Sequence, residues 1–206
     1  MIVMLNEQYY QEHFRVAFTD IHGRVKSEGS LLRKLYKKCC EDAPTKGLTQ
    51  ARIHDRYFSI WDKVGIRLSC PYIDEIEPAV NALIRPRLNE LGYLTRFQEP
   101  DLDDKNRLDS GDASGYRAYH CFVKAPAITD IFGNVDLVLC EIQVRSELQH
   151  VWADKSHDLL YKPEGGWDLS DAHVLEDMRQ LSNHLRVADQ LLISIRDRIQ
   201  GGRDNE

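Results

Sequence analysis

Two carboxylates stand where carboxylates are costly. Asp62 opens the apolar run Lys63-Val64-Gly65-Ile66-Arg67-Leu68-Ser69-Cys70, and Glu141 interrupts a second one, Leu137 to Val144. A charge inside an apolar strand must be paired or bound to a metal. On neighbouring strands the two could hold Mg²⁺, which takes one or two carboxylates and completes its shell with substrate phosphates and water. Residues that suit phosphate are close by: Arg67 on the Asp62 run, Arg117 and His120 beside a third apolar run, and a basic cluster of Arg24, Lys26, Arg33, Lys34, Lys37 and Lys38 that faces only Glu28. Arginine offers a planar fork of donors, lysine a point charge, and a helix start exposes unpaired N–H groups. Tyr116 directly follows Gly115 and could present its ring to a flat base. Singly, each has a plainer role: a strand-start cap for Asp62, an ion pair with Arg145 for Glu141, a solvated helix face for the basic cluster, a core position for Tyr116.

The elements that must position these residues follow from apolar periodicity. Helices are predicted over about 6–17 and 28–40, the second entered through Gly23-Arg24-Val25-Lys26-Ser27. A strand over 63–70 leads to a helix over 74–91 that Pro86 should kink or interrupt. Further strands are predicted at 94–97, 118–123 and 137–144, and a helix over about 146–160. Between them lies one long polar loop, Glu99 to Gly115, whose five aspartates are interleaved with Lys105 and Arg107. Such a loop before a strand is either an active-site element or a solvated connection. Val174, Met178, Leu181, Leu185, Ala188, Leu192, Ile195 and Ile199 recur with strict 4-3 spacing. They predict a long amphipathic helix over about 171–200, capped by Ser170 or Asp171 and ended by Gly201-Gly202. Its seam packs on its own domain or on a second subunit. Helices alternating with strands indicate an α+β domain built on one mixed, twisted sheet flanked by helices.

The chain has 206 residues, 42% of them hydrophobic, which is enough for one domain with a buried core. A net charge of -6 argues against a surface devoted to nucleic acid. Five cysteines, three of them inside strand-like runs, fit reduced core thiols in the cytoplasm, and no CxxC spacing supports zinc. There is no run of about 20 apolar residues to span a bilayer, and the apolar Met1-Ile2-Val3-Met4-Leu5 lacks the features of a signal peptide. A soluble, cytoplasmic protein is expected.

Five ordered blocks carry a family resemblance. They are Gly23-Arg24-Val25-Lys26 with Ser30 and Lys34; Asp62-Lys63-Val64-Gly65-Ile66-Arg67; Gly115-Tyr116-Arg117-Ala118-Tyr119-His120; Glu141-Ile142-Gln143-Val144-Arg145; and Trp152-Ala153 with His157 and Tyr161-Lys162. The chain resembles the RelA/SpoT-type synthetase domain, in particular the small alarmone synthetases that lack a hydrolase domain. The resemblance implies a nucleotidyltransferase-like synthetase fold, a single domain over 1–206 with its catalytic part at about 18–162, and transfer of pyrophosphate from ATP to the 3′-hydroxyl of GDP or GTP. Asp62 and Glu141 would be catalytic and bind Mg²⁺, with Glu141 also helping to deprotonate the hydroxyl. Arg24 and Arg67 would clamp adenine, and Lys26, Ser30 and Lys34 would hold the ATP phosphates. Tyr116 would stack on guanine, His120 and Gln143 would position acceptor and phosphates, and Arg145 would orient the glutamate strand or contact phosphate. Lys105 and Arg107 are loop contacts. The C-terminal helix would serve a homo-oligomer. Two other readings share the motifs: a toxin-type relative, paired with an antitoxin, that modifies the 3′ end of tRNA or an adenine nucleotide, and a silent nucleotide-binding module. Two positions depart from the family pattern, Ser156 where glutamate is common before the histidine, and His150 where a polar amide is common.

Overall fold

The computed structural model describes residues 18–41, 49–60, 62–85, 105–128, 135–157, 159 and 172–203. The helix expected at 6–17 and the strand at 94–97 lie outside them.

Among the described residues, five strands form one mixed sheet. In chain order they are β1 (Asp20–Val25), β2 (Val64–Cys70), β3 (Lys105–Asn106), β4 (Tyr119–Ile128) and β5 (Val135–Ser146), arranged across the sheet as β1-β2-β5-β4-β3. Only β2 and β5 run parallel; the other neighbours are antiparallel. The helices are α1 (Glu28–Glu41), α2 (Gln50–Phe58), α3 (Ile76–Ala79), α4 (Glu147–Ser156) and α5 (Ala172–Arg203).

Period-two alternation gives the sheet two unlike faces. Ile66, Leu68 and Cys70 of β2, Cys140, Ile142 and Val144 of β5, and Tyr119, Cys121 and Val123 of β4 are all buried on one side. There they pack with Ile76, Ala79, Val80 and Ile84 from the helical segment after β2. Fully burying an Ile, Leu or Val of this set contributes about 1.5–3 kcal/mol, so this layer anchors the sheet. The opposite face carries Arg24, Gly65, Arg67, His120, Glu141, Gln143 and Arg145, paired across the strands in register.

Several expectations change. Asp20–Val25, read only as a lead-in to α1, is a strand on the sheet edge. Its alternation is short and broken by Gly23, which hid it. Helix α2 went unread although Thr49 caps it, its side chain accepting from the N–H of Arg52. The helix expected from 74 begins as a 3₁₀ turn at Ile73–Glu75 and passes through α3 into a π-helical turn, Val80–Ile84, just before Pro86. A proline supplies no N–H, so the regular ladder is expected to fail there. Its part beyond Arg85 lies outside the described residues. Gly201 and Gly202 do not end α5, which runs on to Arg203. Both are exposed with open space around them. Their propensity cost of about 1 kcal/mol each is offset at the end of a 32-residue helix. All five cysteines are free, and four are buried.

The long helix buries only part of its heptad seam, together with polar residues beside it. Met178, Ser182 and Asp189 are buried and Leu185 is partly so, whereas Leu181, Leu192, Ile195 and Ile199 are exposed. Among the described residues no helix is long and apolar enough to cross a membrane.

Candidate active site

The polar face of the sheet, roofed by α1 and α4, forms a cleft of about 440 Å³ lined by Lys34, Asp62, Arg67, Tyr116, Glu141 and Gln143 among others. A second lobe of about 240 Å³ shares Lys34, Asp62, His120 and Glu141 and adds Lys38 and Phe122.

At one end, Asp62 receives both lysines of the basic cluster that resemblance assigns to phosphate. Lys26 Nζ is 2.5 Å from Oδ2 and Lys34 Nζ is 2.8 Å from Oδ1. Burial pushes the Asp62 carboxyl up, but hydrogen bonds and charge from the two lysines outweigh it and hold the group below the usual carboxylate range. Two cations on one anion leave a net positive charge.

At the centre, Glu141 is fixed on both oxygens. His120 Nδ1 lies 2.8 Å from Oε1, and Gln143 Nε2 donates to Oε2 at 2.8 Å. Burial again raises this carboxyl, and the hydrogen bonds from His120 and Gln143 bring it below the ordinary value. The ion pair with Arg145 that the sequence offered Glu141 is not formed. Arg145 Nη2 donates instead to Tyr116 Oη at 2.9 Å and to Gln143 Oε1. Alternate residues of one strand share a face, so the guanidinium reaches the amide at i−2 and, beyond it, the tyrosine.

Tyr116 is placed by the end of the acidic loop. Asp112 Oδ1 accepts from the backbone N–H groups of Ser114 (2.9 Å) and Tyr116 (3.1 Å), closing a turn in which Gly111 and Gly115 have positive φ of 66° and 91°. The segment from Arg107 to Gly115 is therefore folded into a turn, and the part of the loop before residue 105 lies outside the described residues. Arg107 lines the cleft 3.4 Å from Asp112 Oδ2. The backbone of Lys105 pairs with His120 through β3. Burial raises the Tyr116 phenol, keeping it protonated, and its ring makes an edge contact with His120 and a cation–π contact with Arg145 at 5.0 Å.

Arg24 and Arg67 lie on the same face. A Cβ built on Gly65 would meet Arg24 Nε at 3.8 Å, so the glycine is where Arg24 lies down. Arg67 Nη1 is 3.5 Å from Asp154 on α4, whose other oxygen is 3.4 Å from His150. Burial first, then repulsion from Arg145 and Arg24, lowers the affinity of Arg67 for its proton. Three arginines this close suit a polyanion.

The comparisons with known proteins bear on this geometry. The sequence model described as "Region found in RelA / SpoT proteins" matches residues 23–166, well over half of the chain. The chain belongs to the RelA/SpoT family. It is 25% identical over 199 residues to GTP pyrophosphokinase YwaC of Bacillus subtilis, covering 95% of this chain and 82% of that protein. It is 28% identical over 158 residues to GTP pyrophosphokinase YjbM of the same organism, covering 77% of this chain and 63% of that protein. The fold is that of the small alarmone synthetase 1 of Bacillus subtilis bound to its product pppGpp, with a TM-score of 0.68 at 24% identity over 94% of this chain and 87% of that one.

Within this RelA/SpoT fold, the cleft gathers Lys34, Asp62, Arg67, Arg107, Tyr116, His120, Glu141, Gln143 and Arg145. Lys26 reaches it through Asp62. Ser30 stays at the exposed start of α1, its hydroxyl accepting from Ser27 at 2.9 Å. Arg117, grouped by sequence with the phosphate-binding residues, is buried as a clamp. It donates to the carbonyls of Leu108 and Asp109, to Ser182 Oγ (3.2 Å) and to Asn183 Oδ1 (2.9 Å). Asp112, Ser182 and Asp189 went unsingled in the sequence. Of these only Asp112 carried a signal, the Asp-Ala-Ser-Gly turn pattern.

Proposed function

We propose that this chain transfers the β,γ-pyrophosphate of ATP to the 3′-hydroxyl of GDP or GTP, making ppGpp or pppGpp and releasing AMP. The observation that carries the reading is the single cleft in which a doubly fixed carboxylate, Glu141, faces the Asp62–Lys26–Lys34 cluster, with Tyr116 at its other end. The names of the relatives, GTP pyrophosphokinases, and a matching fold solved with pppGpp support the acceptor.

Arg24 and Arg67 flank the donor base, and Lys26 and Lys34 take its phosphates, with Ser30 one turn before Lys34 on α1. The Tyr116 ring faces the guanine. Glu141 accepts the proton of the 3′-hydroxyl as its oxygen attacks the β-phosphorus in line. The bond between the β-phosphorus and the α,β-bridging oxygen breaks, and its electron pair leaves with AMP. Positioning and charge neutralisation supply most of the rate. Asp62 and Glu141 fit Mg²⁺: both line the cleft, and among the described residues each of their oxygens accepts one hydrogen bond and keeps a further lone pair. When bound there, the ion would neutralise charge on the transferred phosphates.

The chain is read as one synthetase domain acting in the cytoplasm. The exposed seam of Leu181, Leu192, Ile195 and Ile199 supports a homo-oligomer through α5. Purified protein given labelled ATP, Mg²⁺ and a mixture of GDP, GTP and tRNA should yield AMP and a 3′-pyrophosphorylated guanine nucleotide. Label on tRNA alone would overturn the assignment of the acceptor.

A further inference from the structure

Five side chains of the site close a ring of hydrogen bonds: Arg145 to Tyr116, Tyr116 to His120, His120 to Glu141, Glu141 to Gln143, and Gln143 back to Arg145. The directions can be assigned from one fixed point. A guanidinium only donates, so the Tyr116 oxygen accepts from Arg145 Nη2 and its own hydrogen is free to point elsewhere. Among the described residues, the other group on that hydroxyl is His120 Nε2, at 3.1 Å. With that hydrogen donated to Nε2, His120 carries its own hydrogen on Nδ1 and donates it to Glu141 Oε1. On the other arm Gln143 turns its carbonyl to Arg145 and its amide to Glu141 Oε2. Both arms start at one nitrogen of Arg145 and end on the two oxygens of one carboxylate.

We propose that the Tyr116 hydroxyl is a positioning group for Glu141, a role separate from that of its ring. It fixes His120 in the tautomer that holds Oε1, while Gln143 holds Oε2, so the carboxylate can neither rotate nor tilt and keeps its remaining lone pairs for the reacting hydroxyl. The proposal rests on reading the cleft as a pyrophosphate-transfer site.

The environment of Arg145 supports it. The residue is 3% exposed, and among the described residues it has no carboxylate partner and its Nε and Nη1 find no hydrogen bond. A buried cation satisfied on one nitrogen alone costs stability. Its placement is understandable if that nitrogen sets the geometry of both arms. A chain of bonds running in one direction also strengthens each member.

Tyr116→Phe tests the idea, because it keeps the ring and removes only the hydroxyl. The expected result is a kcat lower by about 10²-fold, the cost of a catalytic group displaced by about 1 Å, with KM for the guanine nucleotide within about twofold of the parent enzyme. Arg145→Lys, which keeps the charge but loses the fork, should show the same split. A ¹⁵N NMR spectrum of the imidazoles gives a readout that needs no turnover: His120 is expected as the Nδ1–H tautomer in the parent protein and as a mixture in Tyr116→Phe. Parental kcat in Tyr116→Phe, a change confined to acceptor KM, or an unaltered His120 tautomer would each overturn the proposal. A parent enzyme that forms no AMP with either guanine nucleotide would sink the transfer reading instead, and the NMR arm would still decide whether the hydroxyl sets the histidine.

Discussion

Glu141 keeps its charge by being bonded, not by being exposed. His120 and Gln143 outweigh the effect of burial and hold its carboxyl below the ordinary value, so at neutral pH it is ready to take a proton. Glu141→Gln keeps the shape and loses that capacity. It should lower kcat by roughly 10²–10⁴-fold, the usual contribution of a general base, while circular dichroism and the melting temperature stay near those of the parent. Tyr116 divides differently. On the proposed stacking role, steady-state kinetics of Tyr116→Ala should show KM for GDP or GTP rising up to about tenfold, the worth of an aromatic contact of about 1.5 kcal/mol, with KM for ATP much less affected. Cys70 and Cys140 lie at the other extreme. Burial pushes both thiols up to about 12, and they act as small apolar side chains of the core.

At the scale of elements, the Tyr116 turn and α5 are built as one unit. The carbonyl of Gly115 accepts from Ser182 Oγ, Arg117 donates to Ser182 and Asn183, and Trp152 Nε1 donates to the carbonyl of Met178 at 2.8 Å. Gly115 sits where the approach is tightest. A Cβ there would lie 3.0 Å from Ser182 Cβ and 3.1 Å from Arg179 Cα, at a φ that L residues rarely adopt. Gly115→Ala must either push α5 away or move the turn, and the expected cost is at least about 2 kcal/mol, read as a lower urea midpoint. Activity should fall as well, because the displaced residue is next to Tyr116. At the start of α4, Ser146 and Gln149 form a reciprocal capping box that ends β5 cleanly four residues beyond Ile142. That stop keeps the Glu141 strand and the roof of the cleft in a fixed relation.

At the scale of the whole molecule, α5 is also pinned through a buried acid. Asp189 is 1% exposed and accepts from Ser146 Oγ at 2.8 Å. Burial raises its carboxyl to about 6, a rise only partly opposed by that hydrogen bond. A raised folded-state value means that Asp189 contributes stability below its ordinary range and that this contribution is lost as the pH rises through about 6. Asp189→Asn removes the titration. Relative to the parent, the variant should gain on the order of 3 kcal/mol between pH 4 and pH 8, measured by urea unfolding at the two pH values. Equal differences at both would contradict the linkage. The adjoining flank of α5 carries the exposed part of the seam, and Leu192→Glu is expected to lower the mass seen by light scattering without lowering the melting temperature.

What the sequence determined by itself was local. Alternation marked β2, the first half of β4 and the middle of β5; the 4-3 repeat marked α5; and residue types picked out Asp62, Tyr116, His120 and Glu141, with family resemblance adding Gln143 and supplying the roles. Elements with weak local signals were lost, as with β1, whose pairing to β2 compensates for a short and glycine-broken pattern. Partners were decided only in three dimensions. The parallel pairing of β2 with β5 sets Gly65 opposite Glu141 and Arg67 opposite Gln143 across more than seventy residues of chain. That same packing turns Arg145 toward Tyr116 and away from Glu141, and makes Arg117 a clamp. It also selects, from the heptad seam of α5, Met178 and part of Leu185 for burial, and adds Ser182 and Asp189 beside them. The reason is physical: periodicity and propensity act over one or two turns of chain, whereas register, burial and the choice of hydrogen-bond partner are settled by what the rest of the fold leaves within reach.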